Sequence, residues 1–218
     1  MTAQTHNHRD GLAGRLRGAR STAEHRRADQ HAAALAAQRF AERAASDGLV
    51  DVSYGVLDSP FGPLTAAATR RGLVRLAFPE EDVDDVLVRL ARRLSPRIVE
   101  APGQLEGVRR ELEEYFEGRR RRFAVALDWS LVGPFGRRVL GATAAIPYGG
   151  VLSYAEVAAE AGSPRGSRAA GNALGSNPIP IVVPCHRVLR SGGSLGGYGG
   201  GLDRKRWLLD HEKGRRSR

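Results

Sequence analysis

The sequence predicts an α+β protein with two folded domains behind a basic N-terminal extension. Three short apolar runs, separated by proline and glycine turns, follow residue 48, which is typical of antiparallel strands. Two amphipathic helical patterns come next, and from Gly133 onward the chain has the pattern of a series of short helices. A length of 218 residues is enough for two such domains, each with its own core.

The composition favours a polyanionic partner. The net charge of +10 comes from 34 basic residues, of which only Lys205 and Lys213 are lysines. Such a charge attracts nucleic acid first, although a biased genome also produces an excess of arginine and alanine. No apolar stretch reaches the roughly 20 residues of a membrane helix, and the N-terminus lacks the apolar middle of a secretory signal. We therefore expect a cytoplasmic protein with no membrane partner.

Residues 1–47 are rich in alanine, arginine and histidine and contain few large apolar side chains. Because such a segment cannot bury a core, we expect a disordered or loosely helical extension. Its arginines are a candidate source of nonspecific DNA affinity. A solvated tail without that role is the alternative.

Residues 48–130 form the predicted N-terminal domain, which begins with strands. The segment 49–78 contains three apolar runs, with proline and glycine turn residues between positions 60 and 63 and a second turn at Arg71-Gly72. We expect these runs to pair as an antiparallel meander.

Helices are predicted in the second half of this domain. Residues 80–94 have acidic side chains in the first turn, arginines in the last turn and apolar residues at helical spacing. A short strand is expected near Ile98, followed by a second helix from Leu105 to Phe116. The run 119–129 is then expected to return as a strand.

Residues 131–218 form the predicted C-terminal domain, which is mainly helical. A helix is expected to begin at Pro134, because proline is favoured at the first helical position. Ser153 and Glu156 match a capping box that opens a second, short helix, and Gly162 is placed to end it.

A third short helix is expected from about Ser167 to Leu174, so that the pair has the outline of a helix-turn-helix. Its sequence, "RAAGNALG", carries few side chains long enough to contact bases in the major groove. A helix with such a slim face either packs closely inside the protein or enters the narrow minor groove. The residues alone leave both possibilities open.

The only cysteine of the chain, Cys185, ends the apolar run "IPIVVP", which we expect to be a short buried strand or extended segment. A single cysteine excludes an internal disulfide, and no Cys/His cluster suggests a metal site. Burial raises the pKa of a thiol, so a reactive cysteine needs a base. His186 is the nearest candidate, with Glu212 or Asp210 available to orient it. Neighbours in a strand face opposite ways, so His186 would need a bridging water or a turn; an inert buried cysteine is the alternative.

Several reaction classes do not fit this spacing. A phosphatase loop requires an arginine six residues after the cysteine, where Ser191 stands, and a histidine before it, where Pro184 stands. A papain-like protease would carry its histidine far along the chain, whereas the histidines that follow Cys185 here are His186 and His211. No Walker or dinucleotide-binding pattern occurs, so we expect no cofactor.

The residues around the cysteine closely resemble the active-site region of the O6-alkylguanine-DNA alkyltransferases, also called methylated-DNA-protein-cysteine methyltransferases. The resemblance lies in "PCHRV", in the preceding "NPIPIVV" and in the following "GGYGGGLDRKRWLLDHE". It extends back through "IPYGGVLSYAEVAAEAGSPRGSRAAGNALGSNP" and more loosely to about residue 50. It implies a ribonuclease-H-like N-terminal domain, a C-terminal domain with a helix-turn-helix and active-site cysteine, and a monomer.

The resemblance implies that Cys185 takes an alkyl group from O6 of a damaged guanine in double-stranded DNA, irreversibly and once per molecule. His186 would act as the base through a water molecule, and Glu212 would hold and polarise the imidazole. Asn177 would brace the turn before the cysteine.

The resemblance also assigns the binding surfaces. Tyr154 would donate a hydrogen bond to the flipped base, Tyr198 and Gly199 would line the pocket and reach O6, and the Val188 carbonyl would accept from the exocyclic amine. Arg168 would fill the space that the flipped nucleotide leaves in the duplex. Three small residues would let the helix enter the minor groove: Ala169, Ala170 and Ala173. Asn172 would contact a sugar or phosphate.

The chain departs from the family pattern at three positions. Gly136 and Leu140 stand where a glutamine and a tryptophan are common, and Asn172 is polar where a small residue is usual. Two other functions remain as alternatives: a non-catalytic sensor of alkylated bases, which has no need of a nucleophile, and a transcription factor that reads the major groove, which the small residues of the third helix disfavour.

Overall fold

The computed structural model describes residues 28–214, and the remainder of the predicted extension, residues 1–27, lies outside this range. Residues 28–46 form a largely exposed helix, α1. It contacts the domain through Glu42, whose carboxylate accepts a hydrogen bond from the Gly103 backbone N–H at 2.8 Å. Among the described residues, none of the helices is long and apolar enough to span a membrane.

The N-terminal domain is a four-stranded sheet in the order β3-β2-β1-β4. The predicted meander is present as β1 (Val52–Leu57), β2 (Leu64–Thr69) and β3 (Gly72–Ala77), paired antiparallel. The short predicted strand is β4 (Ile98–Glu100), which pairs with β1 in parallel. The parallel pairing arises because the intervening helix carries the chain back across the sheet.

The two predicted helices of this domain are α2 (Val83–Arg93) and α3 (Glu106–Phe116), the latter preceded by a 3₁₀ turn at Pro102–Leu105. Helix α2 covers one face of the sheet, where Val86 and Leu90 pack against β1, β2 and β3. Helix α3 belongs to the larger core on the other face, in which Leu112 and Tyr115 are fully buried. The α+β class is therefore confirmed.

The predicted strand over residues 119–129 is wrong: only an isolated bridge between Leu73 and Leu127 forms there. The reason is a side chain that sequence periodicity does not reveal. The buried Glu111 carboxylate accepts hydrogen bonds from the backbone N–H groups of Ala124, at 2.7 Å, and Val125, at 3.3 Å. Because these donors are already satisfied, the segment has little capacity left for a strand ladder.

The C-terminal domain consists of α4 (Pro134–Ala145), α5 (Tyr154–Glu160), α6 (Ser167–Gly175) and α7 (Leu202–Glu212), with the short parallel pair β5 (Leu152–Ser153) and β6 (Val188–Leu189). The predicted capping box is present, with reciprocal bonds between Ser153 and Glu156. Gly162 follows α5 with φ of 77°, the left-handed conformation that ends a helix.

Two of the unusual residues fit their surroundings in α4. A Cβ atom at Gly136 would lie 2.9 Å from the Val132 side chain, so glycine leaves room for that packing. Leu140 is buried in the core that both domains share.

The two domains meet at the free edge of β3. At the start of this strand the Leu73 N–H donates to the Ala126 carbonyl of the same domain at 2.9 Å, and near its end the Leu76 N–H donates to the Pro178 carbonyl of the C-terminal domain at 2.8 Å. Pro178 belongs to the segment that leads to the cysteine, so the sheet contacts the cysteine-bearing part of the C-terminal domain directly.

Candidate active site

Residues 179–184, before the cysteine, form a turn. The prediction of a short strand or extended segment is therefore wrong. Ile181 has φ of 72°, and the Val183 N–H donates to the Ile179 carbonyl at 2.9 Å. Cys185–Arg187 then form a single 3₁₀ turn. The β-branched residues favour a strand, but the alternating prolines cannot donate to a ladder, and the Asn177 side chain satisfies the local backbone instead.

Asn177 holds this turn in shape. Its side-chain carbonyl accepts from the Ile179 N–H at 3.0 Å, and its amide donates to the Val183 carbonyl at 2.9 Å. The same amide lies 3.2 Å from Cys185 Sγ. Asn177 therefore braces the backbone before the cysteine and supplies a hydrogen-bond donor to the sulfur.

The neighbouring histidine is fully buried and faces a carboxylate. His186 Nε2 lies 2.9 Å from Glu212 Oε1. Arg187 makes a bidentate ion pair with the same carboxylate, at 2.9 Å from Nε to Oε2 and 2.8 Å from a terminal nitrogen to Oε1. The Gly149 N–H also donates to Oε2, at 3.0 Å. Glu212, and not the other candidate Asp210, therefore orients the imidazole.

The network fixes the protonation states. Burial alone would raise the pKa of Glu212, but hydrogen bonds from His186 and Arg187 hold it well below its usual range. Burial lowers the pKa of His186 despite the opposing effect of Glu212, so the imidazole is neutral near pH 7. Since the ionised Glu212 can only accept, Nε2 carries the proton and Nδ1 has its lone pair free. Nδ1 is buried without a hydrogen-bond partner among residues 28–214.

The thiol is buried, with 7% of the residue exposed. Burial raises the pKa of Cys185, while the hydrogen bond from Asn177 and the charge of Lys205 lower it. Lys205, on α7, is itself fully buried, and burial lowers its pKa to about 8. Its ammonium donates to the Val188 carbonyl at 2.6 Å and to the carbonyls of Leu195 and Gly197.

A cavity of about 180 Å³ opens beside the sulfur and brings together three of the predicted binding residues: Tyr154, Tyr198 and Gly199. Tyr154 comes from the first turn of α5, and its hydroxyl donates to the Gly197 carbonyl at 3.3 Å. The buried Tyr198 hydroxyl has no hydrogen-bond partner among the described residues. The Val188 carbonyl, the fourth predicted residue, accepts from Lys205.

Helix α6 presents only part of its predicted DNA-binding set to solvent. Arg168, Ala169 and Asn172 are exposed, and Ala173 is half-buried. Ala170 is fully buried in the core, so its prediction as a DNA-contacting residue is wrong. The reason is the helical period, which turns Ala170 toward the protein interior while Ala169 faces outward.

Sequence reasoning missed three residues of the site: Tyr115, Arg187 and Lys205. Arg187 and Lys205 stand within the quoted motifs, but nothing in their spacing indicates a buried charge. Tyr115 lies 70 residues before the cysteine, on the other domain, and its hydroxyl donates to Glu212 Oε1 at 2.7 Å. Among the described residues there is no group of three metal-binding side chains.

Two family models match the chain in succession. Residues 52–129 match the ribonuclease-like domain of 6-O-methylguanine DNA methyltransferase, and residues 134–214 match its DNA-binding domain. The chain belongs to the 6-O-methylguanine DNA methyltransferase family. This confirms the family that the cysteine motif predicts, and the matched ranges cover both domains.

Named relatives agree with this family. The methylated-DNA–protein-cysteine methyltransferase of Mycobacterium tuberculosis is 42% identical over 165 residues, which are 75% of this chain and 94% of the relative. The inducible enzyme of Bacillus subtilis is 39% identical over 149 residues, or 67% of this chain and 82% of its own. A crystal structure of the Mycobacterium tuberculosis protein in complex with DNA superposes with a TM-score of 0.65 at 41% identity, covering 75% of this chain and 94% of that one.

Proposed function

We propose that this methyltransferase repairs DNA directly, by moving an alkyl group from O6 of guanine to Cys185 once per molecule. The observation that supports this most strongly is a buried thiol that accepts a hydrogen bond from Asn177 and is influenced by the charge of Lys205, followed by a neutral histidine held by an ionised glutamate. Such an arrangement can produce a thiolate inside a cavity. No carbonyl is attacked, so the reaction needs no oxyanion hole.

The proposed reaction balances with the residues of the site. His186 Nδ1 accepts the thiol proton through a water molecule, and the thiolate attacks the alkyl carbon. A sulfur–carbon bond forms as the carbon–O6 bond breaks, and the bonding pair leaves with the guanine. The Tyr154 hydroxyl leaves the Gly197 carbonyl and donates its hydrogen bond to the guanine anion, which it stabilises. The Val188 carbonyl and Gly199 position the base.

The product explains why one turnover is expected. The sulfur ends as a thioether, which water does not cleave, and the chain has no second cysteine to accept the group. The enzyme therefore consumes itself, and the number of lesions repaired equals the number of molecules alkylated.

DNA binding is proposed to occur through α6 in the minor groove. The exposed Ala169 permits close approach to the sugar-phosphate walls, and Asn172 is available for a polar contact to a sugar or phosphate. The exposed Arg168 is placed on the same helix to fill the stack after the guanine flips out. We propose that the protein acts as a monomer.

The decisive experiment measures the intact mass of the protein after incubation with duplex DNA that contains O6-methylguanine. We expect a gain of one methyl group, mapped to Cys185, with a stoichiometry of one. Cys185→Ala should bind the same DNA with unchanged affinity and gain no mass. Tight lesion binding by the wild-type protein without any mass gain would instead identify a non-catalytic sensor.

A further inference from the structure

The carboxylate that orients the catalytic histidine is also held by a residue of the other domain. Tyr115 lies on α3 of the N-terminal domain and is fully buried. Its hydroxyl donates to Glu212 Oε1 at 2.7 Å, the same oxygen that accepts from His186. The N-terminal domain thus contacts the Glu212 carboxylate through this phenol.

We propose that Tyr115 is a positioning residue for alkyl transfer, which fixes the Glu212 carboxylate against His186 and tunes the basicity of the imidazole. This inference rests on the proposed function of Cys185. It assigns the N-terminal domain a part in the reaction, exerted through Glu212 and His186.

The end of α7 is attached to Tyr115 at two consecutive residues. The His211 imidazole bonds to the main-chain carbonyl of Tyr115 at 2.8 Å, while Glu212 accepts from the hydroxyl. The two contacts restrict both the translation of α7 and the rotation of the Glu212 side chain. The Arg187 and His186 donors lie on one short turn, and the Gly149 N–H holds only the other oxygen, Oε2. Tyr115 adds the donor to Oε1 that comes from the N-terminal domain.

The phenol is held rigidly enough to act in this way. Its ring packs against Phe116, Phe123, Tyr148 and His211, with centroid separations from 5.2 to 6.1 Å. Burial, with the adjacent Glu212 charge, raises the pKa of Tyr115 well above its usual value. The hydroxyl therefore remains a neutral donor throughout the working pH range.

The hydrogen bond has a predictable effect on the base. A donor on Oε1 disperses the charge of the carboxylate, so it weakens the attraction of Glu212 for the imidazolium form of His186. Removal of that donor should raise the pKa of His186. The other titratable or charged groups around this pair within the described residues are Arg187 on the 3₁₀ turn, Tyr148 after α4, Tyr198 before α7, and Lys205 and His211 on α7.

The experiment compares single-turnover methyl-transfer rates from pH 5 to 9 for the wild-type protein, Tyr115→Phe and Tyr148→Phe. Tyr148→Phe is the matched control: its hydroxyl makes no hydrogen bond within the described residues, and its ring packs 6.1 Å from Tyr115. We expect Tyr115→Phe to be about tenfold slower near neutral pH. The acid limb of its pH profile, where the rate falls as the pH decreases, should move to higher pH, because His186 must be neutral to accept the proton.

A second variant keeps the fold intact. Replacing Tyr115 with 3-fluorotyrosine gives a stronger donor of almost the same shape, and its acid limb should move to lower pH. Opposite shifts in the two variants would establish the role. The positioning role of Tyr115 would be overturned if Tyr115→Phe reduced the rate equally at every pH. It would also be overturned if the rates and acid limb of Tyr115→Phe matched those of Tyr148→Phe. Absence of any methyl on Cys185 in the wild-type protein would instead refute the proposed function.

Discussion

Cys185 is a buried thiol whose reactivity depends on the polar atoms around it. Burial raises its pKa, and Lys205 supplies the positive charge that opposes this effect. Within residues 28–214 the ammonium is held by three carbonyl groups and no carboxylate, so its charge is not neutralised by a paired anion there. Lys205 therefore stabilises the thiolate electrostatically and at the same time ties together the loop that lines the pocket.

Removal of this charge should shift the pH dependence of alkyl transfer. We expect Lys205→Met to raise the pKa of Cys185 and to slow methyl transfer at pH 7 by about tenfold, the factor that one pKa unit represents. The rate should recover as the pH rises and the thiolate forms. Single-turnover kinetics between pH 6 and 10 would measure this shift.

The control for this variant is Lys213→Met, which removes the only other lysine of the chain, an exposed residue just after α7. It should leave the profile unchanged. Lys205→Met also leaves buried carbonyls without a donor, which costs about 1–3 kcal/mol each in the free energy of unfolding. A rate reduction that persists undiminished at high pH would show that misfolding, and not the thiol pKa, is responsible.

Most of the residues next to the cysteine could be predicted from the sequence. The cysteine, histidine, glutamate and asparagine stand in one motif and near one helix end, and the structure brings all four together. Tyr115 could not be predicted from the sequence, because its role depends on how α3 packs against α7. No spacing in the chain encodes that contact.

At the scale of elements, the exposed and buried faces of α6 should respond differently to a larger side chain. Ala169 is exposed and Ala170 is fully buried, although they are adjacent in sequence. We expect Ala169→Leu to reduce affinity for duplex DNA by about tenfold, because the added side chain would meet the groove wall, and to leave Tm unchanged. Ala170→Leu should instead lower the free energy of unfolding by about 1–3 kcal/mol through overpacking.

Fluorescence anisotropy with lesion-bearing duplex and thermal unfolding distinguish the two outcomes. Each variant serves as the control for the other, since both add the same side chain to the same helix. Unchanged DNA affinity in a stably folded Ala169→Leu would contradict the assignment of α6 to the minor groove.

Elements were predicted well where local pattern dominates. The meander, α2, α3 and the capping box of α5 all follow from alternation, helical spacing and turn residues. The two failures, at residues 119–129 and 179–184, share a physical cause. In each, a distant or neighbouring side chain, Glu111 or Asn177, takes the backbone donors that a strand would have used.

At the scale of the whole molecule, the positive charge is carried almost entirely by arginine, and part of it lies in the extension. We expect a chain that begins at residue 48 to bind DNA with a shallower dependence of log affinity on log salt. The slope should fall by about 0.9 for each phosphate group that the extension neutralises in the full chain. The Tm should stay close to that of the full chain, since α1 is largely exposed.

A chain that begins at residue 28 provides the comparison, because it keeps α1 and its hydrogen bond with Gly103. Binding isotherms over a range of salt concentrations measure the slopes. Identical slopes for all three chains would show that the extension is a solvated tail.

The hydrogen bond between the Leu76 amide and the Pro178 carbonyl has a practical consequence. The last residues of β3 are hydrogen-bonded on one side to β2 and on the other to Pro178, in the segment that leads to Cys185. The Leu76 amide proton exchanges with deuterium when its hydrogen bond to the Pro178 carbonyl opens. The protection factor of the Leu76 amide therefore measures whether the contact between β3 and this segment opens more often after Cys185 has been alkylated.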